Sequence, residues 1–162
     1  MDDGGVARGM LKFFTGSSTH KLDAKGRVSL PADFRKVLIG IGSSHVVVLP
    51  RMQHPDYHVA LSQSGHEKIV EQFEEKELDH DDREALARLI VTDARQIPFD
   101  DVGRMVLSKD LRELIGLDGE VRFVGRGSFF QLWEPGKCAA YEAAIVERGR
   151  ALAPSIRLGG LH

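Results

Sequence analysis

The sequence predicts an α+β fold made of two tandem modules that share one core, with helices on the flanks. Three observations lead there. Residues 23–38, DAKGRVSLPADFRKVL, and residues 100–115, DDVGRMVLSKDLRELI, align without a gap over 16 positions at an offset of 77, six of them identical. Four more positions pair similar apolar residues: Val28 with Met105, Phe34 with Leu111, Val37 with Leu114 and Leu38 with Ile115. Behind each copy comes the same order of patterns, two short β-type runs joined by a turn and then an amphipathic segment. The 162 residues are 42% hydrophobic and 28% charged, a globular composition with enough apolar material for a real core. A single module of about 50 residues would have too little, so the second copy completes a fold that neither copy completes alone.

The elements follow in chain order. Residues 1–12 form an N-terminal extension, acidic and Gly-rich at its start, without the basic and apolar stretches of a secretory signal. Module one spans residues 13–78. Its turn, DAKG, is expected to join the strands HKLD (20–23) and RVSL (27–30) in a hairpin. A short helix opens at Pro31, a favoured first helical residue, and buries Phe34, Val37 and Leu38. The strands HVVVLP (45–50) and YHVAL (57–61), joined by QHPD, precede a helix over 65–78 with Ile69, Val70 and Phe73 on one face.

Residues 79–94 have no counterpart and read as a linking helix, with Asp79 as N-cap and Leu86, Leu89 and Ile90 on one stripe. Module two, 95–151, repeats the pattern. It has a hairpin from QIPFD (96–100) into RMVL (104–107), a helix capped by Ser108 with Leu111, Leu114 and Ile115 inward, the strands EVRFV (120–124) and FFQLW (129–133), and a helix over 135–149. Cys138, Tyr141 and Ile145 share one face of that last helix. Residues 152–162, with Pro154 and the Gly159-Gly160 pair, read as a loose tail.

The repeated turn carries the functional signal. Aspartate is favoured at the first position of a type I turn, where its carboxylate accepts backbone N–H groups, and glycine at the fourth, where a left-handed conformation is needed. Asp23 with Gly26, and Asp100 with Gly103, obey both rules. An arginine follows each glycine immediately, so Arg27 and Arg104 are cations at the base of tightly held turns. Taken from the residues alone, two roles stay open for them. Each arginine can simply pair with its aspartate to tie down the turn, or it can present a charge to a ligand. Arg35 and Arg112, further along each copy, fit a structural or inter-subunit salt bridge as well as a phosphate contact.

The overall charge of −2 hides its distribution. Residues 1–51 carry eight Lys and Arg against four Asp, residues 52–101 five against thirteen acidic residues, and residues 102–162 nine against seven, giving +4, −8 and +2. One cationic face is therefore expected beside an acidic middle, which itself reads most simply as solvated helix surface. Other chemistry finds little footing. One cysteine excludes a disulfide framework and a multi-cysteine zinc site, and Pro55 sits between His54 and His58, which lack a third ligand. GIGSS and GRGSF lack the third glycine of a dinucleotide loop. Trp133, Phe129 and Phe130 alternate as core residues do. With no nucleophile beside a base, the expectation is no enzyme, no cofactor, no metal and no small-molecule substrate; no apolar run is long enough for a membrane span.

The segments HKLDAKGRVSLPADFR and DDVGRMVLSKDLRELIGLDGEVRFVGRGSFFQLWEP resemble the MraZ family of bacterial transcriptional regulators, over about residues 13–150. The resemblance implies the SpoVT-AbrB fold, a swapped-hairpin β-barrel formed here by two tandem modules of one chain. It also implies a ring-shaped homo-oligomer in the cytoplasm and nucleoid. Its partner would be double-stranded DNA, bound at short direct repeats in the promoter region of a division and cell-wall gene cluster that includes the protein's own gene, usually in repression. By position, Arg27 and Arg104 would contact DNA with Lys25 and Lys21 nearby, while Asp23, Gly26, Asp100 and Gly103 structure the turns. Val102, Ser108 and the N-terminal extension depart from the common pattern. Val102 and Asp101 leave copy two less basic, so unequal sites are expected. The alternatives are an oligomeric scaffold that binds protein through its acidic helices, and an antitoxin-like DNA-binding protein of the same fold.

Overall fold

A computed structural model of the chain describes residues 12–159. The strands are β1 (Ser17–Lys21), β2 (Arg27–Ser29), β3 (His45–Leu49), β4 (Tyr57–Leu61), β5 (Arg95–Pro98), β6 (Arg104–Val106), β7 (Glu120–Gly125) and β8 (Phe130–Trp133). The helices are α1 (Ala32–Gly40), α2 (Gln63–Glu75), α3 (His80–Ala87), α4 (Lys109–Ile115) and α5 (Pro135–Leu152). All but residue 12 of the expected N-terminal extension lies outside the described residues, as do residues 160–162.

The architecture is α+β and antiparallel. Six strands form one sheet in the order β1-β7-β8-β4-β3-β5, and β2 pairs with β6 in a separate two-stranded ribbon. Exchanging the modules (β1 for β5, β3 for β7, β4 for β8) reverses the sheet order onto itself, so an approximate two-fold axis runs between β8 and β4 and through the ribbon. Each module's leading strand has crossed to the other module: β1 pairs with β7 and β5 with β3.

This crossing corrects the two expected hairpins. The turns close as anticipated, with Gly26 N donating to Asp23 O at 3.0 Å and Asp23 N to Arg27 O at 3.0 Å. Beyond that closing bond the flanking strands part, and β2 takes β6 as its partner with Val28 opposite Met105. Turn chemistry fixes a local reversal, but the choice of strand partner is made by burial, and an apolar Val28–Met105 pair seals the core better than a hairpin isolated on one module would.

The central strands β8, β4 and β3 are buried on both faces, which explains the nearly continuous apolar runs of β3 and β4, whereas the edge strands β1 and β5 are largely exposed. Val46, Val48 and Ala60 join Val28, Met105, Phe34, Leu38, Leu111, Phe123 and Phe130 in a core beneath the ribbon, α1 and α4. Val47, Leu49, Tyr57, Val59 and Trp133 join Phe73, Ile90 and Cys138 in a second core beneath α2, α5 and the linking segment. Helix starts are capped by Ser62, Asp79, Ser108 and Glu134, whose side chains accept N–H groups of the first turn.

Three details differ from expectation. Pro31 precedes the helix as its cap residue, its carbonyl accepting Arg35 N–H at 3.0 Å. The linking helix ends at Ala87 and loosens into a π-helical turn over Arg88–Thr92, which drives Ile90 into the second core. Leu114 is 41% exposed where its counterpart Val37 is buried. The groove beside Val37 is walled by Phe14, Leu61 and Phe129, whereas the carbonyl of Leu114 is held by the long polar arm of Arg51 at 2.7 Å.

Candidate nucleic-acid interface

Each D-x-x-G-R turn is a small hydrogen-bonded bracket. In the first, Asp23 Oδ1 accepts the N–H groups of Lys25 and Arg27, both at 2.9 Å, and Oδ2 accepts Arg27 Nε at 2.7 Å. In the second, Asp100 Oδ1 accepts Val102 N at 3.1 Å and Arg104 N at 2.9 Å, and Oδ2 accepts Arg104 Nε at 3.0 Å. The Arg27 backbone N–H and guanidinium hold the Asp23 carboxyl below the usual carboxylate range. The same groups of Arg104 do so for Asp100, the backbone bond contributing most. Pairing and presentation are therefore not alternatives. The carboxylate occupies only Nε, and among the described residues no hydrogen bond engages the terminal amino groups of either arginine.

Both arginines lie on one surface. The ribbon alternates exposed, buried, exposed along each strand, and its register sets Arg27 opposite Val106 and Ser29 opposite Arg104. Val28 and Met105 point into the core, so Arg27, Ser29, Arg104 and Val106 share the outer face. The side chains of Arg27 and Arg104 are 54% and 58% exposed. As diagonal neighbours on an antiparallel pair they stand about 7–8 Å apart at the backbone.

Two shallow grooves flank the ribbon, of about 430 Å³ and 400 Å³. The first is lined by Lys21, Leu22, Asp23, Arg27, Val28, Ser29 and Arg104. The second is lined by Pro98, Phe99, Asp100, Arg104, Met105, Val106 and Arg27. Lys21, Asp23 and both arginines are thus brought together, whereas Lys25 sits on the exposed turn outside both grooves. Gly26 and Gly103 adopt φ of 86° and 88° as the turn requires.

Sequence reasoning left the roles of Arg35 and Arg112 open, and it did not single out Ser29 or Val106. Arg35, from module one, packs beneath Gly103 of module two and donates Nη2 to Asp101 O at 2.5 Å. Arg112, from module two, lies beneath Gly26 of module one and donates Nε to Leu107 O at 3.1 Å. The braces are joined by matched backbone bonds, Leu30 N to Gly103 O at 2.9 Å and Leu107 N to Gly26 O at 2.8 Å. The identity of Arg35 and Arg112 across the copies was the available signal for the braces, and the period-two alternation of R-V-S and R-M-V was the signal for Ser29 and Val106.

These features define a duplicated α+β domain whose two D-x-x-G-R turns converge on one exposed ribbon. The chain belongs to the MraZ family: the family model described as "MraZ protein, putative antitoxin-like" matches residues 13–51 and 90–154. It is similar to proteins named "Transcriptional regulator MraZ" from several bacteria. The relative from Parvibaculum lavamentivorans is 36% identical over 138 residues, covering 85% of this chain and 86% of the relative. That from Methylocella silvestris is 35% identical over 143 residues, covering 83% and 81%, and that from Gluconobacter oxydans is 33% identical over 150 residues, covering 91% of each. Among the described residues, no helix is long and apolar enough to cross a membrane.

Proposed function

We propose that this chain is a sequence-selective DNA-binding transcriptional regulator whose two arginines read guanine in the major groove. The observation that carries this reading is the placement of Arg27 and Arg104 on one exposed face of a two-stranded ribbon. A ribbon of that width fits the major groove of B-DNA. Because the aspartates occupy Nε, each guanidinium offers its terminal fork, suited to guanine O6 and N7. A bidentate pair of that kind discriminates by about 1–3 kcal/mol. Lys21 and Lys25 neutralise phosphate, and Asp23, Gly26, Asp100 and Gly103 keep the turns rigid, so little side-chain freedom is lost on binding.

One protomer offers few contacts. Assembled into a ring, copies of this face engage short direct repeats together, and each later contact profits from high effective concentration. In the same reading the protein represses a division and cell-wall gene cluster containing its own gene, and it works in the cytoplasm at the nucleoid. The similarity to proteins named transcriptional regulators supports the regulatory part. The test is a gel shift on the DNA upstream of the protein's own gene with wild type, Arg27→Ala and Arg104→Ala. Each substitution is expected to weaken binding at least tenfold and to reduce sequence preference. Full, selective affinity in both folded variants would overturn the assignment.

A further inference from the structure

The two grooves beside the ribbon correspond residue for residue under the 77-position offset of the duplication. Asp23 answers to Asp100 and Arg27 to Arg104, and each arginine lines both grooves. The other four pairs differ: Lys21 answers to Pro98, Leu22 to Phe99, Val28 to Met105, and Ser29 to Val106. One groove therefore keeps a lysine and a hydroxyl alongside the arginines, while its twin has exchanged both for apolar groups.

We propose that the groove of Pro98, Phe99 and Val106 receives the 5-methyl group of a thymine, and that its twin, with Lys21 and Ser29, receives the sugar-phosphate backbone. This rests on the DNA-binding reading above. A single exposed apolar side chain on a protein surface needs no explanation. Here Val106 is 55% exposed, between two exposed guanidinium groups, with Phe99 half-buried beside it and Pro98 exposed. Water solvates that apolar strip poorly, and a double helix offers one apolar group in its major groove, the thymine methyl. An arginine on guanine with a valine against the adjoining thymine would read two neighbouring base pairs.

A consequence concerns direction. The ribbon backbone is approximately two-fold symmetric, and a symmetric reader accepts a site in either orientation. Unequal grooves remove that freedom, because the methyl-binding side and the lysine side cannot be exchanged without loss. Each protomer therefore sits on the duplex with one polarity. Val102, 61% exposed at the tip of the second turn where Lys25 stands in the first, adds to the same inequality.

The test uses the full-length protein and a duplex it selects from a randomised pool. Each thymine of that duplex is replaced in turn by deoxyuridine, which lacks only the methyl group. Wild type is expected to bind about threefold to fivefold more weakly at one replaced thymine per protomer site, the loss of one buried methyl contact. Val106→Ser should bind the thymine and deoxyuridine duplexes equally. Ser29→Val should gain methyl dependence at a second position on the opposite side of the guanine contacts. Both positions are exposed, so folding is retained, and circular dichroism checks it.

Absence of any methyl-dependent position in wild type overturns the proposal. So does methyl dependence that survives Val106→Ser, including the case in which that variant changes only the oligomer's mass. If binding also ignores Arg27→Ala and Arg104→Ala, the DNA-reading role of the ribbon falls as well. Dependence on the arginines without dependence on the methyl removes this proposal alone.

Discussion

Asp23 and Asp100 each serve three donors with two oxygens, so the carboxylate is worth more to the turn than its exposure suggests. Their carboxyls are held below the usual 3.8. The turns' stabilisation is therefore complete above that value and is lost only as pH falls through the lowered folded-state value. Replacing Asp23 by Asn keeps the acceptor for Lys25 and Arg27 N–H but gives up the charge-assisted hold on Nε. The variant is expected to fold normally and to bind operator DNA about threefold to tenfold more weakly, as read by titration calorimetry.

The glycines differ in what lies against them. At φ near +87° any L side chain costs roughly 1–2 kcal/mol. At Gly26 a Cβ would also come within 2.2 Å of the Leu107 carbonyl, whereas at Gly103 the obstacle is Arg35 Cδ at 2.7 Å, on a flexible arm. In urea unfolding, Gly26→Ala should therefore lose clearly more stability than Gly103→Ala.

His58 is 2% exposed on β4, and neither ring nitrogen has a partner among the described residues. Burial, with help from the Arg51 and Arg95 cations, pushes its pKa down from 6.5 to about 4. The unfolded chain binds this proton more readily than the fold does. Stability should thus fall as pH drops from about 6.5 towards 4, by at most about 3 kcal/mol. His58→Leu should flatten that dependence and cost little at pH 7.5, because it removes an unpaired buried polar group.

Between elements, the central feature is that each D-x-x-G-R turn is braced by the other module's helix arginine. Arg35 from α1 reaches Asp101 O beneath the second turn, and Arg112 from α4 fills the space beneath the first. Crossed effects follow. Arg35→Ala should speed hydrogen exchange at the Val102 and Arg104 amides, and Arg112→Ala at the Lys25 and Arg27 amides, each leaving the other turn protected. In DNA binding, Arg35→Ala should couple with Arg104→Ala and add independently to Arg27→Ala, with the converse for Arg112. Coupling of about 0.5 kcal/mol or more in a double-mutant cycle marks the pairs in contact. Uncrossed coupling would mean that each helix arginine serves its own module.

That crossing also shows what the sequence could and could not disclose. The turns, caps and eight strands are written locally in Asp-x-x-Gly, in Ser108 and Asp79, and in runs such as HVVVL. Strand partnership is not local. Nothing in HKLDAKGRVSL says that β2 will leave β1 for β6, because that choice depends on sealing Val28 against Met105 from another module. Leu114 shows the same limit: the spacing that buries Val37 applies to it too, yet among the described residues it stays 41% exposed. The arginine pair was legible because it repeats, and the inequality of the two sites was legible at Val102 and Asp101; the apolar groove was not, since Val106 acquires meaning only when the register sets it opposite Arg27, and Pro98 only when the fold brings it into the same groove.

At the scale of the molecule, charge is sorted along the chain and then gathered by the fold. The basic first segment and the second turn meet at the ribbon, while most acidic residues of 66–93 lie on α2 and α3, with Glu77, Asp79 and Asp93 in the segments that flank α3 and the π-turn. In the proposed DNA-binding reading, electrostatic attraction then has an address at the ribbon despite a net charge of −2. For each phosphate neutralised, the logarithm of affinity falls by about 0.9 per tenfold rise in salt. Lys21→Ala and Lys25→Ala should each make that slope shallower by about one per bound protomer and weaken selected and random duplexes alike, since a phosphate contact carries no base preference. Arg27→Ala and Arg104→Ala should instead narrow the gap between selected and random duplexes. A scaffold whose acidic helices bind protein predicts a different outcome, with a flat salt response at the ribbon and none of the four substitutions separating selected from random DNA. Measuring the slopes of all four variants by fluorescence anisotropy distinguishes cations that hold the duplex from those that read it.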